Sequence, residues 1–205
     1  MKILVATGNP KKIRELRAAL EPFGAQLVEP ADVGELPDVV EDELTFAGNA
    51  KKKARSAALA TGLWSLADDS GLEVDRLRGA PGVHSARFAG PGADDERNND
   101  LLLEKLAGVP ESERTARFTC ALALCRPDGT VALETSGTAR GRILLQRRGT
   151  RDFGYDPLFL FTEEGFPQTG KTFAEIPLEQ KSAVSHRGRA LRALAAELPA
   201  LLARV

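Results

Sequence analysis

"MKILVATGNPKKIRELRAAL", residues 1–20, decides the class of fold. Residues 2–6 are apolar after Lys2 and rich in branched side chains, and Thr7-Gly8 closes the run, so it reads as a strand. Asn9 has the side chain of a helix N-cap, and Pro10 suits the first helical position. Ile13, Leu16 and Leu20 then recur at helical spacing until Gly24 stops the helix. A chain that opens strand, tight turn, helix is expected to be α/β.

The remaining pattern keeps strands and helices mixed. Residues 25–40 hold a second short strand and a loop with Pro30 and Pro37. An alanine-rich helix is expected over 45–60, ending at Gly62, with Thr45, Asn49 and Lys53 along one stripe. Residues 63–67 read as a strand that ends at Asp68-Asp69-Ser70-Gly71, and Leu72 and Val74 alternate with Glu73 and Asp75 as a further strand. A Gly/Pro-rich loop follows at 78–92 and a helix at 94–107. Ala116, Phe118, Cys120, Leu122 and Leu124 alternate strictly, Pro127-Asp128-Gly129 turns, and Val131, Leu133 and Thr135 return. Residues 158–161 read as a strand and 178–183 as a helical turn. A last helix from Ser185 carries Leu191, Leu194 and Leu198 on one face. These hairpins predict a mixed α/β fold with a partly antiparallel central sheet. The 205 residues, 1–205, suit one domain, in one lobe or two.

Composition narrows the function by exclusion. With 42% hydrophobic and 28% charged residues and a net charge of -1, the chain has no overall attraction for nucleic acid or an anionic membrane. The apolar run at the start is too short for a signal-peptide core, and no run approaches a membrane span, so the expectation is a cytoplasmic protein. Cys120 and Cys125, the two cysteines, fall on one expected strand, roughly 16 Å apart and on opposite faces, which excludes a disulfide between them. With two histidines and no His/Cys cluster, any metal is expected to be a hard cation held by oxygen.

Three stretches carry anion-binding or base-binding chemistry. "TGNPKK", residues 7–12, lies at the strand–helix junction, where free N–H groups and the helix dipole favour an anion. It comprises Thr7, Gly8, Asn9, Pro10, Lys11 and Lys12, yet lacks the glycines of a Walker loop or a dinucleotide fingerprint. "SHRGRA", residues 185–190, puts His186 and Arg187 in the first turn of a helix, against its dipole, a conflict that a bound anion or polar base relieves. Lys181 lies just upstream. "FGYDP", residues 153–157, combines aromatic faces able to stack on a nucleobase with a glycine that permits close approach. Each also has a plainer reading, as solvated lysines, exposed helix residues or a turn with core aromatics.

Carboxylates supply the other half of the chemistry. Asp68-Asp69-Ser70-Gly71 reads either as a turn closed by Asx-type hydrogen bonds or as a pair of which one member ligates a metal and the other supports it. Glu41, Asp42 and Glu43 precede the second helix and offer a further ligand. Mg²⁺ needs one or two such carboxylates, the rest of its shell being water and phosphate oxygens. Lys53 is placed to neutralise phosphate charge.

Taken in order, the motifs TGNPKK (7–12), ELTFAGNAKKKA (43–54), ADDSGLEVDRLRGAPGVHSAR (67–87), FGYDPLF (153–159), GKTFAE (170–175) and KSAVSHRGRA (181–190) closely resemble the inosine/xanthosine triphosphate pyrophosphatases. The likeness covers essentially the whole chain. It implies an elongated, two-lobed fold with the site in the cleft between lobes, usually as a homodimer. It also implies Mg²⁺-dependent hydrolysis of a small-molecule purine nucleoside triphosphate to the monophosphate and pyrophosphate. By the same resemblance Thr7, Asn9 and Lys12 grip substrate, Asp69 is the general base, Glu41 and Asp69 are linked to the metal, and Ser70 touches substrate. Phe153, Gly154, Tyr155, Asp156, Lys181, His186 and Arg187 match base and phosphate contacts. His84 and Phe88 depart from the family, standing where tyrosines are common. Two other readings are an enzyme for odd pyrimidine nucleotides and a nucleotide-binding regulator without turnover.

Overall fold

The computed structural model describes residues 1–150 and 153–203. Strand β1 (Lys2–Val5) leads through the Thr7–Asn9 turn into helix α1 (Pro10–Leu20). A 3-10 turn, Glu21–Phe23, extends it to Gly24, whose φ of 75° ends the helical path. Strand β2 (Gln26–Val28) follows. The expected loop beyond it contains a short helix, α2 (Pro30–Val33), with Pro30 at its first position and the Asp32 side chain accepting from Glu29 N at 3.0 Å. Helix α3 (Phe46–Thr61) is capped by Thr45, whose hydroxyl accepts from Gly48 N, and it ends at Gly62. Its buried face carries alanine at positions 50, 54, 57 and 58 together with Phe46 and Asn49.

Strand β3 (Trp64–Val74) corrects the sequence reading. Asp68 and Asp69 lie in the middle of one eleven-residue strand, neither in a turn nor at a strand end. Like charges persist there because alternation sends adjacent side chains to opposite faces, and each carboxylate meets a cation on its own side. Helix α4 (Asp95–Lys105) is capped by Asp94. Strands β4 (Thr115–Cys125), β5 (Val131–Ile143) and β6 (Phe159–Phe161) follow, then helices α5 (Leu178–Val184) and α6 (His186–Leu202). Cys120 and Cys125 are buried free thiols, as expected.

The sheet order is β2-β1-β3-β4-β5-β6. β1 runs parallel to β2 and to β3, whereas β5 and β6 are antiparallel, so the sheet is mixed as expected. Gly141 on β5 opposes Phe161, and a Cβ there would stand 2.2 Å from the carbonyl oxygen of Leu160, so only glycine admits β6 at that distance.

The chain divides into two compact units. The first comprises Met1–Asp69, Cys120–Gly137 and the segment from Arg187 onward. Its core includes Ile3, Val5, Leu16, Leu66, Leu122, Leu191, Leu194 and Leu198, and each fully buried leucine contributes about 2 kcal/mol. The second comprises Ser70–Thr119 and Thr138–His186. Its core centres on Phe118, Phe159, Phe161 and Phe173 with Leu72, Leu102 and Leu106. Among the described residues no helix is long and apolar enough to cross a membrane.

Candidate active site

In the first unit the turn after β1 is tied to itself. Thr7 N donates to the Val5 carbonyl, Asn9 N to Thr7 Oγ1, and Lys12 N to Asn9 Oδ1 at 3.4 Å, so Asn9 is the expected N-cap. Pro10 begins α1, and Lys11 follows it with a side chain outside the described residues. A Cβ on Gly8 would meet nothing within 4 Å, so the backbone here is open to close approach. A cavity of about 330 Å³ lies against this turn, lined by Thr7, Gly8, Asp38, Glu41 and Lys53 among others.

Two carboxylates of the first unit converge on one cation. Lys53 Nζ lies 2.9 Å from Glu41 Oε1 and 3.5 Å from Asp69 Oδ1. Burial opposes its charge, but Asp69 and Glu41 hold the Lys53 pKa above its ordinary value. Asp69 is shifted up: burial raises it, and the charge of Lys53 and a hydrogen bond from Asn49 only partly offset this. A raised carboxylate is a stronger proton acceptor than an ordinary aspartate. Two oxygen donors directed at one positive point also fit Mg²⁺, which takes few protein ligands. Among the described residues no group of three or more His, Cys, Asp or Glu side chains gathers as a metal cluster.

The two aspartates of β3 have separate surroundings. Asp68 Oδ2 lies 2.8 Å from Lys12 Nζ and 3.6 Å from Arg187 Nε, with its side chain 2% exposed. Burial would raise its pKa, but Lys12 and then Arg187 bring it down to about 2. Asp68 is therefore the buried counter-ion of two cationic residues. Arg187 also reaches Glu15 Oε2 at 3.1 Å. The helix-start conflict read from the sequence is thus relieved by the protein's own carboxylates on α1 and β3.

Asn49 lies on the stripe of Lys53, where its position in the sequence implies no role of its own. It is fully buried, its amide donates to Asp69 Oδ2 at 3.1 Å, and its carbonyl oxygen accepts from Glu43 N at 3.1 Å. One side chain thereby links the catalytic candidate to the segment that carries Glu41. The available signal was its spacing of four residues from Lys53. Glu15 gave no such signal, since its partner lies 172 residues away.

The other predicted residues belong to the second unit. Ser70 is its first residue, half-buried on β3. Phe153 is 37% exposed. Gly154 adopts a φ of 65°, donates its N–H to Asp95 Oδ2 at 2.7 Å and accepts from Asn99 Nδ2 at 2.9 Å. Tyr155 is a core residue, its ring buried and its hydroxyl donating to the Ser85 carbonyl at 2.8 Å. Asp156 is buried and receives Lys181 Nζ at 2.5 Å. The same ammonium lies 5.3 Å from the Phe173 ring centre and 5.8 Å from that of Phe153. His186 stacks on Phe118, with ring centres 4.8 Å apart and planes 13° from parallel.

The geometry gives a mixed α/β chain with lysine–carboxylate pairs beside an open glycine turn, and comparison with known proteins gives its class. The chain matches the Ham1 family over residues 3–197, and it belongs to that family. It is 52% identical over 193 residues to a dITP/XTP pyrophosphatase of Geobacter sulfurreducens, covering 94% of each chain. It is 50% identical over 195 residues to one of Desulforamulus reducens, covering 94% of this chain and 92% of the relative. The solved HAM1 protein of Coxiella burnetii superposes with a TM-score of 0.88 at 38% identity, covering 97% of this chain and 98% of the other.

Proposed function

We propose that this chain is a nucleoside triphosphate pyrophosphatase that hydrolyses noncanonical purine nucleoside triphosphates, ITP, dITP and XTP, to the monophosphate and pyrophosphate. The activity named for relatives about half identical over nearly the full chain supports the reaction class. The observation that carries the site is Asp69, raised in pKa and held by both Asn49 and Lys53.

In this reading Thr7, Gly8, Asn9 and Lys12 hold phosphate oxygens with the backbone and side chains of the first turn. Lys53 leaves its two carboxylates to meet charge on the substrate. Glu41 and Asp69 would hold Mg²⁺, which when bound neutralises the triphosphate and draws electron density from phosphorus. With the metal held chiefly by Glu41, Asp69 keeps the basicity to accept a proton from the water that attacks the α-phosphorus. The bond from that phosphorus to the bridging oxygen breaks, and the electron pair leaves with pyrophosphate. Asp68 keeps Lys12 and Arg187 fixed and charged without touching the reacting atoms. Phe153, with Asp156 and Lys181, presents an aromatic face and a polar edge to the base, and His186 and Arg187 complete the contacts. A site built to bond the 6-oxo group refuses adenine, and rejecting guanine requires that its 2-amino group be left unsatisfied.

Replacing Asp69 by Asn tests the assignment. Turnover with Mg²⁺ is expected to fall at least about 100-fold, the scale of a lost general base, in a protein that still melts cooperatively. Normal turnover would overturn the role. We further propose a cytoplasmic homodimer, for which light scattering on the purified protein is the first check.

A further inference from the structure

We propose that Asp95 and Asn99, one turn apart on α4, are positioning residues for base selection, acting through the backbone of Gly154. The inference rests on the reading of the Phe153–Asp156 turn as the base-binding segment. Both polar groups of Gly154 are taken by this one helix: Asp95 accepts its N–H at 2.7 Å and Asn99 donates to its carbonyl at 2.9 Å. Residues four apart share a helix face, so the two side chains form a fork that fixes the plane of the peptide groups on either side of Gly154.

The fork sits where the turn changes character. Beyond Gly154 the chain is anchored inward. Tyr155 is tied to the Ser85 carbonyl, its own carbonyl accepts from Leu158 N and Phe159 N at 3.0 Å, and Asp156 holds Lys181. Before Gly154 stands the partly exposed Phe153 ring. The direction of that ring relative to the Asp156–Lys181 pair is set by the Gly154 backbone, whose φ of 65° other residues rarely adopt. A Cβ at Gly154 would meet nothing within 4 Å, so the glycine serves conformation and not space. Asn99 is 1% exposed and further tied by its Nδ2 to the Asp95 carbonyl at 2.8 Å, which limits its rotation. Asp95 is exposed and removable at little cost to the core.

The test uses the full chain with ITP and GTP as paired substrates, each variant also melted thermally. Asp95→Ala removes the acceptor at an exposed position, and Asn99→Asp sets a carboxylate against the Gly154 carbonyl. Each is expected to raise KM for ITP and to lower the ITP-to-GTP ratio of kcat/KM by about tenfold, the scale of one lost hydrogen bond, with kcat on ITP within about twofold. Asp95→Asn keeps an acceptor and is expected to preserve the ratio. Gly154→Ala disfavours the positive φ and is expected to act like Asp95→Ala. An unchanged ratio in a folded Asp95→Ala protein overturns the proposal, as does a loss of kcat equal for both substrates. If wild-type protein itself fails to favour ITP over GTP, the functional reading fails instead.

Discussion

Asp68 and Asp69 are neighbours with different partners, and the difference comes from what each face of β3 meets. Asp68 is enclosed by Lys12 and Arg187 and ionised down to a pH of about 2. Removing one member of such a buried set strands the others, so Asp68→Asn is expected to cost roughly 3 kcal/mol of unfolding free energy at neutral pH, measured by urea titration. Its effect on KM for the triphosphate should be of similar direction, because Lys12 loses its anchor. A change within about 0.5 kcal/mol would mean that Asp68 is dispensable as a counter-ion. Asp69 was readable as chemistry, since a carboxylate pair near lysines suggests it. Its partner Asn49 was not, because only tertiary packing places an amide between Asp69 and the Glu43 backbone.

Local elements followed their end signals closely. Asn9-Pro10 starts α1, Thr45 and Gly62 bracket α3, and Asp94 opens α4, because capping and positive-φ glycines act through neighbours in sequence. The failure lay in β3, where four polar or small residues imitate a turn. Strand pairing and buried cations outweighed that local preference. A second tertiary tie joins the Gly170–Glu175 motif to the segment at Arg148. Glu175 takes Arg148 Nη2 at 2.8 Å and Nε at 3.3 Å and also accepts from Thr172 N at 2.7 Å. The Arg148 hydrogen bonds, then that N–H, depress Glu175 from 4.5 to about 2. A depressed carboxylate stabilises the fold above its unfolded pKa and loses that contribution as pH falls through the folded value. Because the pair is largely exposed, the contribution is at most about 1 kcal/mol after screening. Glu175→Gln is thus expected to be slightly less stable than wild type at pH 7 and to converge with it between pH 4.5 and about 2. A gap that stays constant across that window would contradict the pairing.

For the whole molecule, alternating strand and helix patterns made the α/β class legible, and the hairpin signals made the mixed sheet legible. Strand order was not, because it depends on which edges meet across long stretches of chain. The candidate site residues were legible as motifs, whereas the contacts of Asn49, Glu15, Asp95 and Asn99 with them emerged only from the fold. The proposed enzyme is defined by which bond it cuts and in which nucleotides. The most direct test supplies Mg²⁺ and compares ITP, dITP and XTP with GTP, ATP, dTTP and UTP, quantifying monophosphate, pyrophosphate and orthophosphate. The expected result is one pyrophosphate per monophosphate, with the three noncanonical purines favoured over GTP by at least about tenfold in kcat/KM. Orthophosphate with a diphosphate product, or equal rates on GTP and ITP, would contradict the account.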